Sequence, residues 1–397
     1  MSLLLGSYTA SSCLGVGLAA TWGALQAQRS GLKRCDFETV ALDTWIGEVP
    51  GVDAVAMPEG LQAWDCRNNR LALLGLQQDG FEDAVREAVA ACGAHRVGVF
   101  LGTSTSGMLQ TELAYRARHA DRGPLPAWFH YEQTQNTYSV AGFVRAHFGL
   151  AGPAFVVSTA CSSSSKVFAN AQRMIDAGLI DAAIVGGVDS LCLTTLYGFQ
   201  SLQLLSPEPC RPWGAGRKGI SIGEAAAFAL LTRAPARPAP GSVLLLGTGE
   251  SSDAHHMSAP HPQGLGAQLA MTSALRMAGL SRQQIDYLNL HGTATPSNDA
   301  AEDQAVGAVF GPATPPASST KGHTGHTLGA AGGVEAVICA LALQHQTLPG
   351  GCGTGAPDPA LRTDYLLANR PAALRHAMSN SFGFGGSNSC LILGLAP

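Results

Sequence analysis

The sequence predicts an α/β protein in which helices cover buried sheets. Two observations carry that reading. Short apolar runs of strand length, at 96–101, 154–157, 182–185, 228–231, 243–246 and 287–290, alternate with Ala-rich runs of helix length at 164–177, 266–278 and 333–344. Alternation of this kind builds layers of helices against a sheet. The order strand, small-residue turn, helix also occurs twice, as AFVVS running into TACSSSS and as ASSTKGHTGHT running into GAAGG. A duplicated half would produce that repeat.

The strand runs are almost wholly apolar, which suits short strands buried on both faces. Between the two repeats lies PARPAPG at 235–241. Its prolines can neither continue a helix nor sit in a central strand, so it divides the chain into halves at 1–240 and 241–397. The first 28 residues carry no charged side chain. No Lys or Arg precedes their apolar run, and Gly6, Gly15, Gly17 and Gly23 interrupt it. The segment is therefore expected as a strand at 3–5, a Gly/Ser loop and a helix near 18–28, with no membrane role.

Length and composition bound the rest. At 397 residues the chain holds core enough for two or three domains. Apolar residues make up 46%, which excludes a disordered chain. Charged residues make up only 13%, about half the ordinary ~25%, so much surface is expected to be buried, part of it between subunits. A net charge of −4 gives no basic field for nucleic acid. Ten cysteines are present without a C-x-x-C pair, so no zinc or dithiol site is expected, and free thiols suit a reducing cytoplasm.

Four turns carry chemistry-bearing residues. In Val157-Ser158-Thr159-Ala160-Cys161-Ser162-Ser163 a strand ends in a small-residue turn and a helix follows. A thiol there faces the positive end of a helix and its free N–H groups, which favour thiolate and can hold an oxyanion. The segment equally suits a small cysteine buried in a tight turn. In Leu290-His291-Gly292-Thr293-Ala294-Thr295 a strand delivers a histidine at its C-terminal end, where α/β proteins place their sites; a histidine bonded locally in a turn reads the same way. Ser319-Thr320-Lys321-Gly322-His323-Thr324-Gly325-His326 places a lysine and two histidines in an open backbone. His323 and His326 have no carboxylate or thiol close enough in sequence to complete a metal set. Ser381-Phe382-Gly383-Phe384-Gly385-Gly386 is a glycine-rich loop without the pattern or lysine of a phosphate loop.

The ordered set T-A-C-S-S, H-G-T-x-T, T-K-x-x-x-G-H with G-A-A-G, and N-S-F-G-F-G-G-x-N resembles the β-ketoacyl-acyl-carrier-protein synthases of types I and II, polyketide ketosynthases included. Arg211-Pro212-Trp213, Gly223-Glu224, Ser252-Asp253-Ala254 with His256-Met257, and Asp299 with Glu302 extend the likeness. The resemblance implies a thiolase-like fold of two similar α/β halves layered α-β-α-β-α, and decarboxylative condensation of an acyl-enzyme with malonyl-acyl-carrier protein. It implies that Cys161 carries the acyl chain, that His291 and His326 act on the malonyl thioester with Lys321 in support, and that the N–H groups of Cys161 and Phe384 form an oxyanion hole. Thr293 and Thr295 would hold the phosphopantetheine arm. Thr105, Phe199, Phe382 and Phe384 would line and gate the acyl pocket. His323 is expected to be dispensable, and no metal or other cofactor is implied.

The implied partners are an acyl carrier protein and a second synthase-like subunit, identical or related. The carrier should be acidic, and Arg67 and Arg70, three apart at the start of an expected helix, are candidates to meet it. A non-catalytic chain-length subunit would have lost Cys161, and a thiolase would carry a second reactive cysteine near its C-terminus. The N-terminal strand and loop, Ser158, Lys166, Ala225 and a short 204–211 loop depart from the family pattern. They leave both housekeeping fatty-acid synthesis and a dedicated polyene or polyketide pathway open.

Overall fold

A computed structural model describes residues 2–118 and 123–397. Ten strands form its main sheet: Leu3–Ser12 (β1), Val97–Gly102 (β2), Ala154–Val157 (β3), Ala182–Asp189 (β4), Ala225–Arg233 (β5), Val243–Ser252 (β6), Tyr287–Asn289 (β7), Ala317–Ser318 (β8), His376–Gly383 (β9) and Ser387–Leu395 (β10). The sheet order is β8-β7-β9-β10-β6-β1-β5-β4-β2-β3. Each half therefore lays its strands third, second, fourth, fifth, first. In both halves the first two pairings of that order are parallel and the next two antiparallel. Within the sheet the halves join where Leu3 and Leu4 of β1 pair with Leu245 and Leu244 of β6.

Two helices fill the space between the halves: Ser163–Asp176 (α3) and Ala331–His345 (α6), numbered after Gly17–Gln26 (α1) and Arg67–Leu76 (α2) and around Leu265–Ala278 (α4) and Pro296–Phe310 (α5). α6 is buried on every side from Ala331 to Leu343, which is why its sequence is apolar all round rather than on one stripe. The stretch Leu328–His345 is long and apolar enough to cross a membrane, but 89% of it is buried inside the protein. α2 covers the outer face of the first half, and α4 with α5 covers that of the second. The result is the layered α-β-α-β-α arrangement. Residues 235–241 form an exposed loop between β5 and β6.

Two local expectations need correcting. β1 does not stop at residue 5 but runs to Ser12, with a register shift between Leu5 and Ser7. Its hydroxyls tolerate a buried central strand because they find partners: Thr9 Oγ1 donates to Asp79 at 2.7 Å. β3 is the edge of the sheet rather than a buried strand, and Phe155 on it is 46% exposed.

Candidate active site

Cys161 sits in the turn 158–162 between β3 and α3, with Ala160 before it at φ +52. The following serines fix this turn and the helix packing. Ser162 and Ser163 donate to the carbonyls of Thr159 and Ala160 at 2.9 and 2.5 Å. Ser164 Oγ accepts the Gly333 N–H of α6 at 2.8 Å. A Cβ on Gly332 would stand 2.7 Å from that of Ser165, so the two middle helices touch only because both carry small residues there.

The Cys161 sulfur lies 3.0 Å from Nε2 of His326. Burial pushes the thiol up to about 12; Lys321 and the N–H groups of Phe384 and Cys161 pull it down, and Asp189 pushes it further up. Burial thus opposes the thiolate that the helix N-terminus, Lys321 and these N–H groups favour. The nearest group able to take the proton is His326. The N–H groups of Cys161 and Phe384 lie close enough to the sulfur to favour its thiolate.

His291 and His326 stand edge to face with ring centroids 5.5 Å apart. Burial, then the nearby Lys321 charge, holds both well below the usual histidine range, with each imidazole also opposing the other at His291. They are neutral donors and acceptors. Lys321, itself buried, donates to the His291 carbonyl at 2.5 Å, lies 3.4 Å from its Nδ1 and pairs with Glu335. Burial pushes Glu335 up to about 7 against the pull of Lys321. The thiol and the two imidazoles lie within 4.8 Å of one another and are the one set of this kind among the described residues. They bring no carboxylate, and the Lys321 ammonium opposes a cation there.

These groups face a narrow cavity of about 60 Å³. Its polar lining includes Thr293, Thr295, Asn298 and Asn388, and its apolar lining Phe199, Leu204, Ile220, Phe382 and Phe384. The Thr293 and Thr295 hydroxyls touch at 2.9 Å. The rings of Phe199 and Phe384 lie 5.8 Å apart. Both also line a second, mostly apolar groove that runs past Met108 and Leu202.

The comparisons with known proteins agree with this geometry. Residues 8–236 match the family model for the β-ketoacyl synthase N-terminal domain, and residues 243–354 that for the C-terminal domain. The chain belongs to the β-ketoacyl synthase family. It is 34% identical to 3-oxoacyl-[acyl-carrier-protein] synthase 2 of Vibrio cholerae over 96% of each chain. It is 36% identical to nodulation protein E of Rhizobium meliloti over 78% of this chain and 79% of that one. A chain from the complex of a ketosynthase with its chain length factor from Xenorhabdus doucetiae superposes with a TM-score of 0.89 at 41% identity, covering 100% of this chain and 98% of that one.

Within this β-ketoacyl synthase the sequence-predicted residues separate cleanly. Cys161, His291, His326, Lys321, Thr293, Thr295, Phe199, Phe382 and Phe384 meet at one cavity or directly behind it. Thr105 does not line it: its hydroxyl donates to Asp189 at 2.8 Å. Arg67 is not a docking residue. It is 6% exposed and is consumed by Glu224 at 2.6 Å, Asp53 at 2.8 Å and Glu48 at 3.1 Å. Arg70 donates through Nε and Nη2 to the two carboxylate oxygens of Asp65. Spacing on a helix showed that the two arginines share a region but not that acids on three other segments neutralise it. His323 points away from the site, its ring nitrogens 3.2 Å from the carbonyls of Arg29 and Gly350. Glu335, fourteen residues beyond Lys321 in an apolar helix, escaped sequence reading; a lone acid in so apolar a run was its only signal.

Proposed function

We propose that this β-ketoacyl synthase elongates acyl chains on acyl carrier protein. The Cys161 sulfur attacks the thioester of an acyl-carrier protein, His326 Nε2 takes the thiol proton, and the carrier thiol leaves with a proton. Malonyl-carrier protein then binds with its thioester carbonyl toward His291 and His326. Its carboxylate departs as carbon dioxide, and the electron pair passes to an enolate held by the two neutral imidazoles. The enolate carbon attacks the Cys161 thioester, whose oxygen rests on the N–H groups of Cys161 and Phe384, and the sulfur leaves as thiolate and takes a proton from solvent as 3-oxoacyl-carrier protein forms. One difficult step becomes two easier ones.

The observation that carries this reading is the convergence of Cys161 and two neutral histidines, with the 3.0 Å contact to His326, in one enclosed cavity. The thiol and both imidazoles also argue against a non-catalytic chain-length subunit. Thr293 and Thr295 are placed to receive the pantetheine arm, and Phe384, with Gly385 and Gly386 at φ +78 and +73, to swing as the gate between cavity and groove. The halves at 1–240 and 241–397 divide the work, one supplying the nucleophile and the other the histidines. No metal or other cofactor enters the scheme. The working form pairs with a second synthase-like subunit, identical or related; support comes from the likeness to a chain of a paired ketosynthase complex and from the open edge of β3.

The test is a reaction with acyl- and malonyl-carrier protein. Carbon dioxide and 3-oxoacyl-carrier protein should appear in equal amounts. Cys161→Gln should keep carbon dioxide release and lose condensation. A wild-type protein that forms no 3-oxoacyl product with any carrier-borne acyl group would overturn the reading.

A further inference from the structure

One buried carboxylate of the first half reaches into the turn that leads out of His326. Asp189 ends β4 and is 0% exposed. Its Oδ1 accepts the hydroxyls of Thr103 and Thr105 and the N–H groups of Ser104 and Thr105, all from the loop after β2. Its Oδ2 accepts the N–H of Gly329, in the second half. A Cβ on Gly329 would stand 2.8 Å from that oxygen and 2.8 Å from Ser104 Oγ, so the turn reaches the carboxylate only because this residue is glycine. Leu328, just before it, is left-handed at φ +51. A residue other than glycine keeps that conformation only when its surroundings impose it.

The turn matters because no side chain steers the His326 ring by a hydrogen bond from behind. Nε2 lies against Cys161, and Nδ1 is buried with no hydrogen-bond partner among the described residues. A catalytic imidazole is ordinarily oriented through its second nitrogen. Here the backbone on either side of the residue takes that part. Before the turn, the His326 N–H donates to the Ser221 carbonyl at 2.7 Å and its carbonyl accepts the Gly223 N–H at 2.9 Å. After it, the anchor is Asp189.

We propose that Asp189 is a positioning residue for His326: by holding Gly329 from the first half, it fixes the turn that sets the imidazole against Cys161. This rests on the reading, given above, that His326 serves the enolate and takes the thiol proton. The two oxygens of the one carboxylate do different work. Oδ1 closes the 103–105 loop and contributes to stability, and Oδ2 crosses to the other half and contributes to rate. An amide of the same shape keeps one acceptor for the loop and turns its NH2 toward the Gly329 N–H, so Asp189→Asn breaks the bond between the halves with little change in volume.

The experiment follows decarboxylation of malonyl-carrier protein. Asp189→Asn should lower kcat about tenfold, the worth of one hydrogen bond to a charged group, with KM nearly unchanged. Gly329→Ala, whose Cβ pushes the N–H off the same oxygen, should match it, and the two together should do no more than either alone. In a His326→Ala background, Asp189→Asn should slow the reaction no further. Thr103→Val/Thr105→Val, which strips Oδ1 of two donors and spares Oδ2, should lower Tm and leave kcat in place. If Asp189→Asn does not fold, Gly329→Ala carries the same comparisons. An unchanged kcat in either variant, a raised KM with constant kcat, or a further loss in the His326→Ala background would overturn the assignment of Asp189. Wild-type decarboxylation by His326→Ala would instead end the reading of His326, and the proposal with it.

Discussion

In each half of the molecule the second strand ends in a loop with two threonines two residues apart, and the two loops serve opposite ends. After β2, the hydroxyls of Thr103 and Thr105 and the N–H groups of Ser104 and Thr105 all converge on Asp189, at 2.7 to 2.8 Å. After β7, the hydroxyls of Thr293 and Thr295 meet each other and face the cavity, with backbone N–H groups of the same loop and of the α5 start as their other partners. The cause lies on the neighbouring strand. The fourth strand of the first half ends in Asp189, whereas that of the second ends in Phe382 and Gly383. A carboxylate at the strand end seals one loop; its absence leaves the other open to substrate. The third strands differ in the same spirit. β3 passes into α3 through residues 158–162, just enough chain to place Cys161 over the helix. β8 is followed by residues 319–330, long enough to bring in Lys321 and His326 before α6. A duplicated frame thus yields one chemical site because the two copies differ in their turns.

The contrast can be broken most decisively at Cys161. Cys161→Ala should abolish both acyl-enzyme formation and condensation, since no other thiol stands beside a histidine pair. Measurable condensation by this variant would end the assignment. His291→Ala and His326→Ala come next. Each removes a donor to the enolate, so malonyl decarboxylation should fall by about 10²–10³, with acylation of Cys161 affected less. In His326→Ala the remaining acylation should move to higher pH, because a thiol pushed up to about 12 has lost its nearest proton acceptor. Stopped-flow acylation across pH separates the two variants, and identical pH profiles would count against the proton-accepting role of His326.

Smaller effects test whether the first half, apart from its nucleophile and Asp189, is structural. Arg67→Ala leaves the fully buried Glu224 without its guanidinium, which should cost about 3–5 kcal/mol of stability. Arg70→Ala, whose Asp65 partner is exposed, should cost about 0–1 kcal/mol. Urea denaturation measures both, and equal small losses would contradict the buried ion cluster. The gentlest comparison sets the two threonine pairs side by side. Thr103→Val/Thr105→Val strips Asp189 of two donors and should destabilise by about 1–3 kcal/mol for each lost bond, with KM for carrier substrates unchanged. Thr293→Val/Thr295→Val should raise KM and cost only the Thr295 cap of α5, about 1 kcal/mol. Exchange of these two outcomes would reverse the roles assigned to the loops.

The layering and the catalytic residues were legible in the sequence for separate reasons. Strand–helix alternation reports burial, and β4, β6 and α6 announce themselves by continuous apolar runs. Cys161, His291, Lys321 and His326 are legible because four rare residue types recur in family order. What stayed hidden depends on long-range pairing. β1 looked like a loop past residue 5 because the partner of Thr9, Asp79, lies 70 residues away. Arg67 looked like a surface cation because Glu224 lies 157 residues away. Thr105 looked like a pocket residue because nothing near it in sequence announces Asp189, 84 residues on. The burial of the thiol was hidden for the same reason: helix position is local, whereas burial is set by both halves together.

The central claim is that a cysteine from the first half and histidines from the second make one condensing site. Intact-protein mass spectrometry with peptide mapping, after exposure to an acyl-carrier protein thioester and then to malonyl-carrier protein, tests it most directly. The account predicts a single acyl adduct on Cys161 that disappears on malonyl addition as 3-oxoacyl-carrier protein forms. An adduct on another cysteine, or a Cys161 adduct that malonyl-carrier protein fails to discharge, would contradict it.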